Sequence, residues 1–290
     1  MARSLKTLNR PLLLQSQKHP SLHDIRNKLV EFTSINPSES DNGAYVAAVS
    51  NALNCYDAFV NFKRHPAYSG VLEHASYKQG AMCLEAVNRQ SPEMLQDVEK
   101  YQENDLVGGS SPQEYPIGYI SPSTLRYMKV ASDIKTLFGN VEKVAEIGVG
   151  YGGQLLVLDR TIAMQQYHLF DLQPVLRLAE KYLEHHILNS SYKTSTLNQH
   201  KGDEEYDLVI SNYAYSELPK ELEIKYIQKV LSKAKRGYLT MNSGLPNSCF
   251  TKNKLTIDEL AELLPKFEIL EEYPNTFPNN YIIVWGHKLL

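Results

Sequence analysis

Two carboxylates and a run of glycines are the residues of this chain with the clearest chemistry. Residues 146–154 have the sequence Glu-Ile-Gly-Val-Gly-Tyr-Gly-Gly-Gln, directly after a short apolar segment and at the start of a helical one. Glycines there let the backbone turn sharply and approach a ligand with no Cβ in the way. Asp171 ends the next apolar segment, where its carboxylate can accept hydrogen bonds from a ribose diol. We therefore predict a ligand site at the carboxyl ends of two strands.

Glu146 separates two candidate cofactors. Gly148, Gly150 and Gly153 satisfy the Gly-x-Gly-x-x-Gly pattern of dinucleotide sites. A pyrophosphate, however, needs amides and positive potential, and a carboxylate beside the loop opposes that anion. S-adenosylmethionine has no phosphate and carries a sulfonium and an ammonium, which an acid attracts. Glu146 therefore favours S-adenosylmethionine, and NAD stays the alternative.

The acid-x-Gly-x-Gly pattern, with a second acid closing the next strand, resembles the class I S-adenosylmethionine-dependent methyltransferases. In that family the first acid and the glycines hold the methionine end of the cofactor, and the second acid holds its ribose. The resemblance assigns the first role to Glu146, Gly148 and Gly150 and the second to Asp171. Three further residues of these motifs are expected to contact the cofactor: Gln154, Leu172 and Ser211.

Three segments together resemble the sugar O-methyltransferase family of glycan and antibiotic gene clusters. They are Glu-Ile-Gly-Val-Gly-Tyr-Gly-Gly (146–153), Phe-Asp-Leu (170–172) and Ser-Asn-Tyr-Ala-Tyr-Ser-Glu-Leu (211–218). The family typically has EIGGGYGG, DLP and SNYAFSEL, so this chain departs at Val149 and at the inserted Gln173. The resemblance covers roughly residues 117–245. It implies methylation of a hydroxyl on a sugar or a glycosylated small molecule.

Methyl transfer to a sugar hydroxyl requires a base that takes the hydroxyl proton. Tyr213 and Glu217 follow the fourth strand and Asn242 follows the fifth, so the topology predicts all three at the ligand edge. We hypothesise that Glu217 is the general base and that Tyr213 and Asn242 orient the acceptor. In the other interpretation Glu217 only begins the next helix, where a carboxylate favours the positive dipole end. The acidic run at 203–205 is expected to be a solvated loop, and a role for a divalent metal stays open.

Apolar and helical segments alternate after residue 140. The apolar runs lie at about 143–147, 167–171, 192–197, 206–211 and 237–241, with helical segments over 174–188 and 219–233. Strands that alternate with helices predict right-handed crossovers and a parallel sheet. Strands at 267–271 and 281–285, joined without a helix, predict a C-terminal antiparallel hairpin. The expected fold class is α/β, a Rossmann-like, mostly parallel seven-strand sheet preceded by a helical N-terminal domain.

The first 140 residues have helical patterns and no strong strand pattern. Apolar residues recur at helical spacing from Tyr45 to Val60, and a second helical stretch runs from about Met82 to Tyr101. Ser121-Pro122 predicts a capped helix that ends at Gly139. We divide the chain into an N-terminal arm, a helical lid or substrate-recognition domain and a methyltransferase domain, over residues 1–39, 40–116 and 117–290 respectively.

Composition excludes several classes of protein. The 290 residues are 42% hydrophobic and 22% charged, an ordinary globular balance. The net charge of −3 argues against a nucleic-acid partner, and no apolar run is long enough to predict a membrane span. Three scattered cysteines predict reduced thiols of a cytoplasmic protein.

We expect a small-molecule or glycan substrate and consider a homodimer formed through the helical half. An NAD-dependent oxidoreductase and an inactive methyltransferase-like scaffold are the alternatives.

Overall fold

The computed structural model describes residues 43–242 and 253–287, so the predicted N-terminal arm and Cys249 lie outside the described residues. The helices are α1 (Gly43–Asn54), α2 (Tyr56–Phe59), α3 (Pro66–Leu72), α4 (Tyr77–Gln90), α5 (Glu99–Gln102), α6 (Pro122–Phe138), α7 (Gly153–Asp159), α8 (Gln173–Leu183), α9 (Ala214–Glu217), α10 (Lys220–Lys229) and α11 (Ile257–Leu263). The strands are β1 (Gln113–Tyr115), β2 (Gly118–Ile120), β3 (Lys143–Ile147), β4 (Gln166–Phe170), β5 (Ser191–Ser195), β6 (Leu208–Asn212), β7 (Gly237–Met241), β8 (Glu268–Glu271) and β9 (Tyr281–Trp285).

Seven strands form one sheet in the order β5-β4-β3-β6-β7-β9-β8. Strands β3 to β7 run parallel to one another, whereas β9 runs antiparallel to both β7 and β8. The predicted mostly parallel seven-strand sheet with its C-terminal antiparallel hairpin is confirmed. The strand order reverses between β3 and β6, and open α/β sheets bind ligands at such a point, beyond the carboxyl ends of the strands.

Helices cover both faces of this sheet, which explains why its central strands are apolar along their length. All five residues of β7 are buried. Alternate side chains of one strand point to opposite faces, so Leu169 of β4 joins the core on the side of α6, α7 and α8. Its neighbour Phe170 joins the core on the side of α10 and α11.

Helices dominate residues 43–138, as predicted. Helix α6 begins at the N-cap residue Ser121, whose hydroxyl accepts a hydrogen bond from the amide of Thr124, and it ends at Gly139. Two details differ from the prediction. The helical pattern from Tyr45 to Val60 breaks at Cys55 into α1 and α2, and β1 pairs with β2 where no strand was predicted. Strands of three residues are too short to show an alternating pattern.

The helical segments and the sheet share a hydrophobic core. One cluster of buried residues extends from Tyr45 in α1 through Met128 in α6 to Leu169 in β4. Lys181 of α8 adds a polar link, because its ammonium donates hydrogen bonds to the carbonyl oxygens of Ala52 (3.0 Å) and Leu53 (3.1 Å). Residues on both sides of the proposed boundary after residue 116 therefore belong to one core.

Among the described residues, no helix has the length and apolar character needed to cross a bilayer.

Candidate cofactor and acceptor site

The glycine loop between β3 and α7 makes a turn that favours glycine at several positions. Gly148, Gly150 and Gly152 have φ values of 78°, 54° and 87°. A Cβ atom on Gly148 would lie 2.0 Å from the Cβ of Ala214, and one on Gly150 would lie 2.9 Å from Cδ1 of Leu72. The absence of side chains therefore lets the loop pack closely against α9 on one side and the end of α3 on the other.

Asp171 ties the glycine loop to the neighbouring strand. Its Oδ2 accepts hydrogen bonds from the amides of Val149 (2.8 Å) and Gly150 (3.4 Å), and its Oδ1 accepts one from the amide of Leu172 (2.7 Å). The carboxylate is thereby held just beyond the end of β4, at the edge where the sequence predicted it. The side chain of Leu172 lies beside it and is 40% exposed.

Two further loop amides are also satisfied within the protein. The amide of Gly148 donates to the carbonyl oxygen of Phe170 (2.8 Å), and that of Gly152 donates to the carbonyl oxygen of Val149 (2.9 Å). A dinucleotide site needs such amides for its pyrophosphate. In this loop the amides of residues 148, 149, 150 and 152 are used by a carboxylate and by carbonyl oxygens.

Glu146 is buried in β3, two residues before the loop. Its side chain accepts a hydrogen bond from the Tyr167 hydroxyl at 2.9 Å, and the residue is 2% exposed. Burial raises the pKa of the Glu146 carboxyl to about 8 because the charged form loses its hydration. A cationic group beside Glu146 would favour the ionised carboxylate and be held by it.

Asn212, the last residue of β6, presents a buried acceptor. Its Nδ2 donates to Oε1 of Gln154 (3.3 Å), and Nε2 of Gln154 donates to the carbonyl oxygen of Tyr127 (3.3 Å). The Oδ1 atom of Asn212 is buried and accepts no hydrogen bond from the described residues. An unpaired buried acceptor costs about 1–3 kcal/mol, so this atom fits a ligand donor such as an ammonium. Gln154, predicted to contact the cofactor, orients Asn212, a residue that the sequence prediction missed within its own motif.

Ser211 precedes Asn212 and is completely buried. Its hydroxyl donates to the carbonyl oxygen of Ile147 (2.8 Å) and accepts a hydrogen bond from the amide of Tyr215 (3.0 Å). The hydroxyl thus links β6 to β3 and holds the start of α9. The predicted contact of Ser211 with a cofactor stays a prediction.

Glu217 and Asn242 form a pair. Oε1 of Glu217 accepts a hydrogen bond from Nδ2 of Asn242 (3.0 Å), and the amide of Asn242 donates to Oγ of Ser216 (3.0 Å). Glu217 ends the four-residue α9, and α10 begins at Lys220, so its two predicted roles, general base and helix-start carboxylate, both stay predictions. Asn242, the residue that follows β7, holds the carboxylate.

Tyr213 belongs to a second group, which the sequence prediction did not include. Its hydroxyl donates to the buried Glu272, whose carboxylate also accepts hydrogen bonds from the amide and the hydroxyl of Thr276, each at 2.9 Å. Tyr213 has a φ of 70°, which costs about 1–3 kcal/mol in a residue with a side chain, and such strain occurs at functional sites. The only sequence signal for Glu272 and Thr276 was their place between the two strands of the predicted hairpin, 267–271 and 281–285.

A narrow cleft lies beside Tyr213 and Asn212, and neither Glu217 nor the glycine loop lines it. It lies between α4, α6 and the β8–β9 loop, and Arg126, Asn212, Tyr213 and Glu272 line it. The guanidinium of Arg126 lies 5.8 Å from the centre of the Tyr213 ring and donates to the carbonyl oxygen of Leu72 (3.0 Å). The cleft thus offers a cation, a carboxylate, a phenol and an amide, which together suit a polar small molecule.

No protein-family model matches the chain, and no curated protein matches it. Several solved structures resemble part of it. The YcgJ protein from Bacillus subtilis is 20% identical over 40% of this chain and 50% of its own, with a TM-score of 0.33. TehB from Haemophilus influenzae is 18% identical over 53% of this chain and 60% of its own, with a TM-score of 0.41. The N-terminal domain of EvdMO1 with SAH bound is 14% identical over 67% of this chain and 94% of its own, with a TM-score of 0.42. The chain thus spans 50% and 60% of the YcgJ and TehB chains. Likenesses of this size carry no argument about activity, which has to be inferred from the site.

Proposed function

We propose that this protein is an S-adenosylmethionine-dependent O-methyltransferase acting on a hydroxyl of a sugar or a glycosylated small molecule. The chemistry around the glycine loop carries the proposal. Four loop amides donate to Asp171 and to carbonyl oxygens, while Glu146 and Asn212 offer buried acceptors. A site of acceptors suits a sulfonium and an ammonium, and it opposes a pyrophosphate. This arrangement supports S-adenosylmethionine over NAD.

The residues present fit that cofactor. Glu146 and Oδ1 of Asn212 would accept hydrogen bonds from its methionine end, and Asp171 would accept them from the ribose. Gly148 and Gly150 keep the loop free of side chains there. When bound, S-adenosylmethionine supplies the electrophilic methyl group, and the protein positions the acceptor oxygen in line with it.

The acceptor hydroxyl must lose its proton as its oxygen is methylated. We assign the base to Glu217, because Asn242 orients its carboxylate at the ligand edge. Glu272 is less suited to this role, because its lone pairs accept hydrogen bonds from Tyr213 and from both donors of Thr276. Tyr213 would orient the acceptor with a hydroxyl that Glu272 holds in place.

Calorimetric titration of the full chain with S-adenosylhomocysteine and, separately, with NAD tests the cofactor. We expect S-adenosylhomocysteine to bind at a stoichiometry of one and NAD to give no heat. Asp171→Ala should weaken the binding, whereas Asp203→Ala, an exposed aspartate of the β5–β6 connection, should not. Binding of NAD alone would make the protein an oxidoreductase, and binding of neither compound would favour the inactive scaffold.

Turnover with a panel of sugars and glycosides tests the acceptor and the base. Methylation is detected by mass spectrometry as the gain of one methylene. Glu217→Gln should lower turnover by about 100-fold or more, as loss of a general base does, and leave the affinity for S-adenosylhomocysteine unchanged. A change of less than about tenfold would remove Glu217 from the base role.

A further inference from the structure

Two histidines and a carboxylate converge on the sheet face that α10 covers. His168 is the central residue of β4, and His200 and Glu204 belong to the connection between β5 and β6, residues 196–207. One ligand atom from each of the three lies within 4.8 Å of the other two. His168 and His200 are 1% and 4% exposed, and the Glu204 side chain is 35% exposed. Two imidazoles and a carboxylate are a donor set for zinc and related ions.

His200 has an unpartnered ring nitrogen beside the cluster. Its Nε2 is buried and has no hydrogen-bond partner among the described residues. A metal ion is one ligand that could satisfy such a nitrogen.

His168 is held from both sides. Its Nε2 lies 2.9 Å from Oγ of Ser195, and its Nδ1 lies 2.8 Å from the Tyr206 hydroxyl and 3.9 Å from Oε2 of Glu204. The Ser195 contact can orient the ring while Nδ1 faces the cluster. An ion at this position would replace the hydrogen bond between His168 and Tyr206, and the Tyr206 hydroxyl can turn toward the ion as a further oxygen ligand.

Lys193 competes for the same carboxylate. Its ammonium forms an ion pair with Oε2 of Glu204, and its side chain is 35% exposed, so it can turn into solvent. The acidic run at 203–205 lies in a loop, as predicted, with Asp203 and Glu205 exposed, and Glu204 in addition pairs with Lys193. A divalent cation has twice the charge of the ammonium and would compete with it for Glu204.

We propose that His168, His200 and Glu204 bind a divalent ion of the zinc class, which fastens the β5–β6 connection to the sheet. Residues 196–207 are all described and contain no helix, so this crossover lacks the packing that a helix would supply. Zinc lies about 2.0–2.1 Å from imidazole nitrogens, so the three donors would move closer together on binding. The site lies apart from the glycine loop, and its test does not depend on the proposed methyltransferase activity.

The test is titration of the full chain, without an affinity tag and after dialysis against a chelator, with Co²⁺ and Zn²⁺. We expect one equivalent of Co²⁺ to give the visible absorption of a four-coordinate site, and Zn²⁺ to displace it. The melting temperature should rise with Zn²⁺, because the ion binds the folded chain. The proposal is overturned if the chain binds no Co²⁺ or does not bind it at a stoichiometry of one.

Three substitutions distinguish this site from adventitious binding. His200→Ala and Glu204→Gln should weaken Co²⁺ binding by at least about tenfold, whereas His185→Ala, an exposed histidine after α8, should leave it unchanged. Circular dichroism checks that each chain is folded. Equal Co²⁺ affinity in His200→Ala and the natural chain overturns the proposal.

Lys193→Ala should change the Co²⁺ affinity in the opposite direction to the substitutions of the ligands. It removes the competing ammonium and touches no ligand atom, so Co²⁺ should bind more tightly. Binding at unrelated surface groups would not respond in this way. Weaker or unchanged binding in Lys193→Ala contradicts the assignment of Glu204 as a ligand.

Discussion

Glu146 is a carboxyl whose surroundings oppose its charge. Burial raises its pKa from an ordinary value of 4.5 to about 8, and the hydrogen bond from Tyr167 offsets only part of this shift. Between pH 4.5 and about pH 8 the Glu146 carboxyl is neutral in the folded chain and ionised in the unfolded chain. Folding takes up a proton in this window, so the free energy of unfolding falls as the pH rises through it.

We expect Glu146→Gln to flatten this pH dependence. Glutamine keeps the size of the side chain and cannot ionise, so the free energy of unfolding should fall less steeply between about pH 5 and pH 8. Urea unfolding across this range measures the slope. Glu114→Gln, at an exposed position of β1, is the matched control. Equal slopes in all three chains would contradict the burial of an ionisable Glu146.

Alanine substitutions at Gly148 and Gly139 distinguish the stability cost of a steric clash from the cost of backbone strain. Their φ values are 78° and 67°. A Cβ on Gly148 would lie 2.0 Å from that of Ala214, whereas one on Gly139 would meet nothing within 4 Å. Alanine at either position adds backbone strain of about 1–3 kcal/mol, and only Gly148→Ala adds overpacking of roughly 1–3 kcal/mol. Urea unfolding should therefore find Gly148→Ala the less stable chain, and equal losses would contradict the close packing of α9.

At the scale of elements, α3 and the β8–β9 loop cover the ligand edge. Leu72 ends α3 against Gly150, and its carbonyl oxygen accepts the hydrogen bond from Arg126. The cleft lined by Arg126 and Glu272 has a volume of about 30 Å³, which suits about two water molecules. Sites for small molecules enclose about 300–1,000 Å³. A sugar can therefore enter this cleft only if one of its walls, α4, α6 or the β8–β9 loop, moves.

We expect Leu72→Ala to loosen this cover. Loss of the side chain over Gly150 should speed hydrogen exchange in α3 and raise the association rate of S-adenosylhomocysteine. Leu263→Ala, at an exposed position of α11, is the control and should alter neither quantity. Hydrogen-exchange mass spectrometry and stopped-flow binding measure the two effects. If α3 exchanges as before and the association rate is unchanged, α3 does not restrict access to the glycine loop.

At the scale of the whole molecule, the shared core predicts one cooperative unit. The buried cluster that joins Tyr45, Met128 and Leu169 would be exposed if either part unfolded alone. Trp285 is the only tryptophan of the chain and is buried in β9, so its fluorescence reports on the sheet. Far-UV circular dichroism reports mainly on the helices, many of which lie in residues 43–138. The urea transitions seen by the two probes should coincide, and an earlier loss of helix would mean that the helical part unfolds independently.

The sequence by itself determined the architecture of the sheet and its ligand edge. The alternation of apolar and helical segments, the glycines with positive φ and the two acids at the strand ends all depend on short-range periodicity and backbone sterics. These features are local, so Glu146, Gly148, Gly150 and Asp171 could be selected without coordinates. The cap at Ser121 and the end of α6 at Gly139 were predictable for the same reason.

Only the tertiary structure decided which side chains meet. Tyr213 and Glu272 are 59 residues apart in the chain, and no local pattern links them. The same holds for Leu72 over Gly150, because α3 and the glycine loop have separate sequence signals. His168 and Glu204 meet only because the β5–β6 connection folds back across β4. Such contacts depend on how distant elements pack against one another, and short-range periodicity carries no information about that packing.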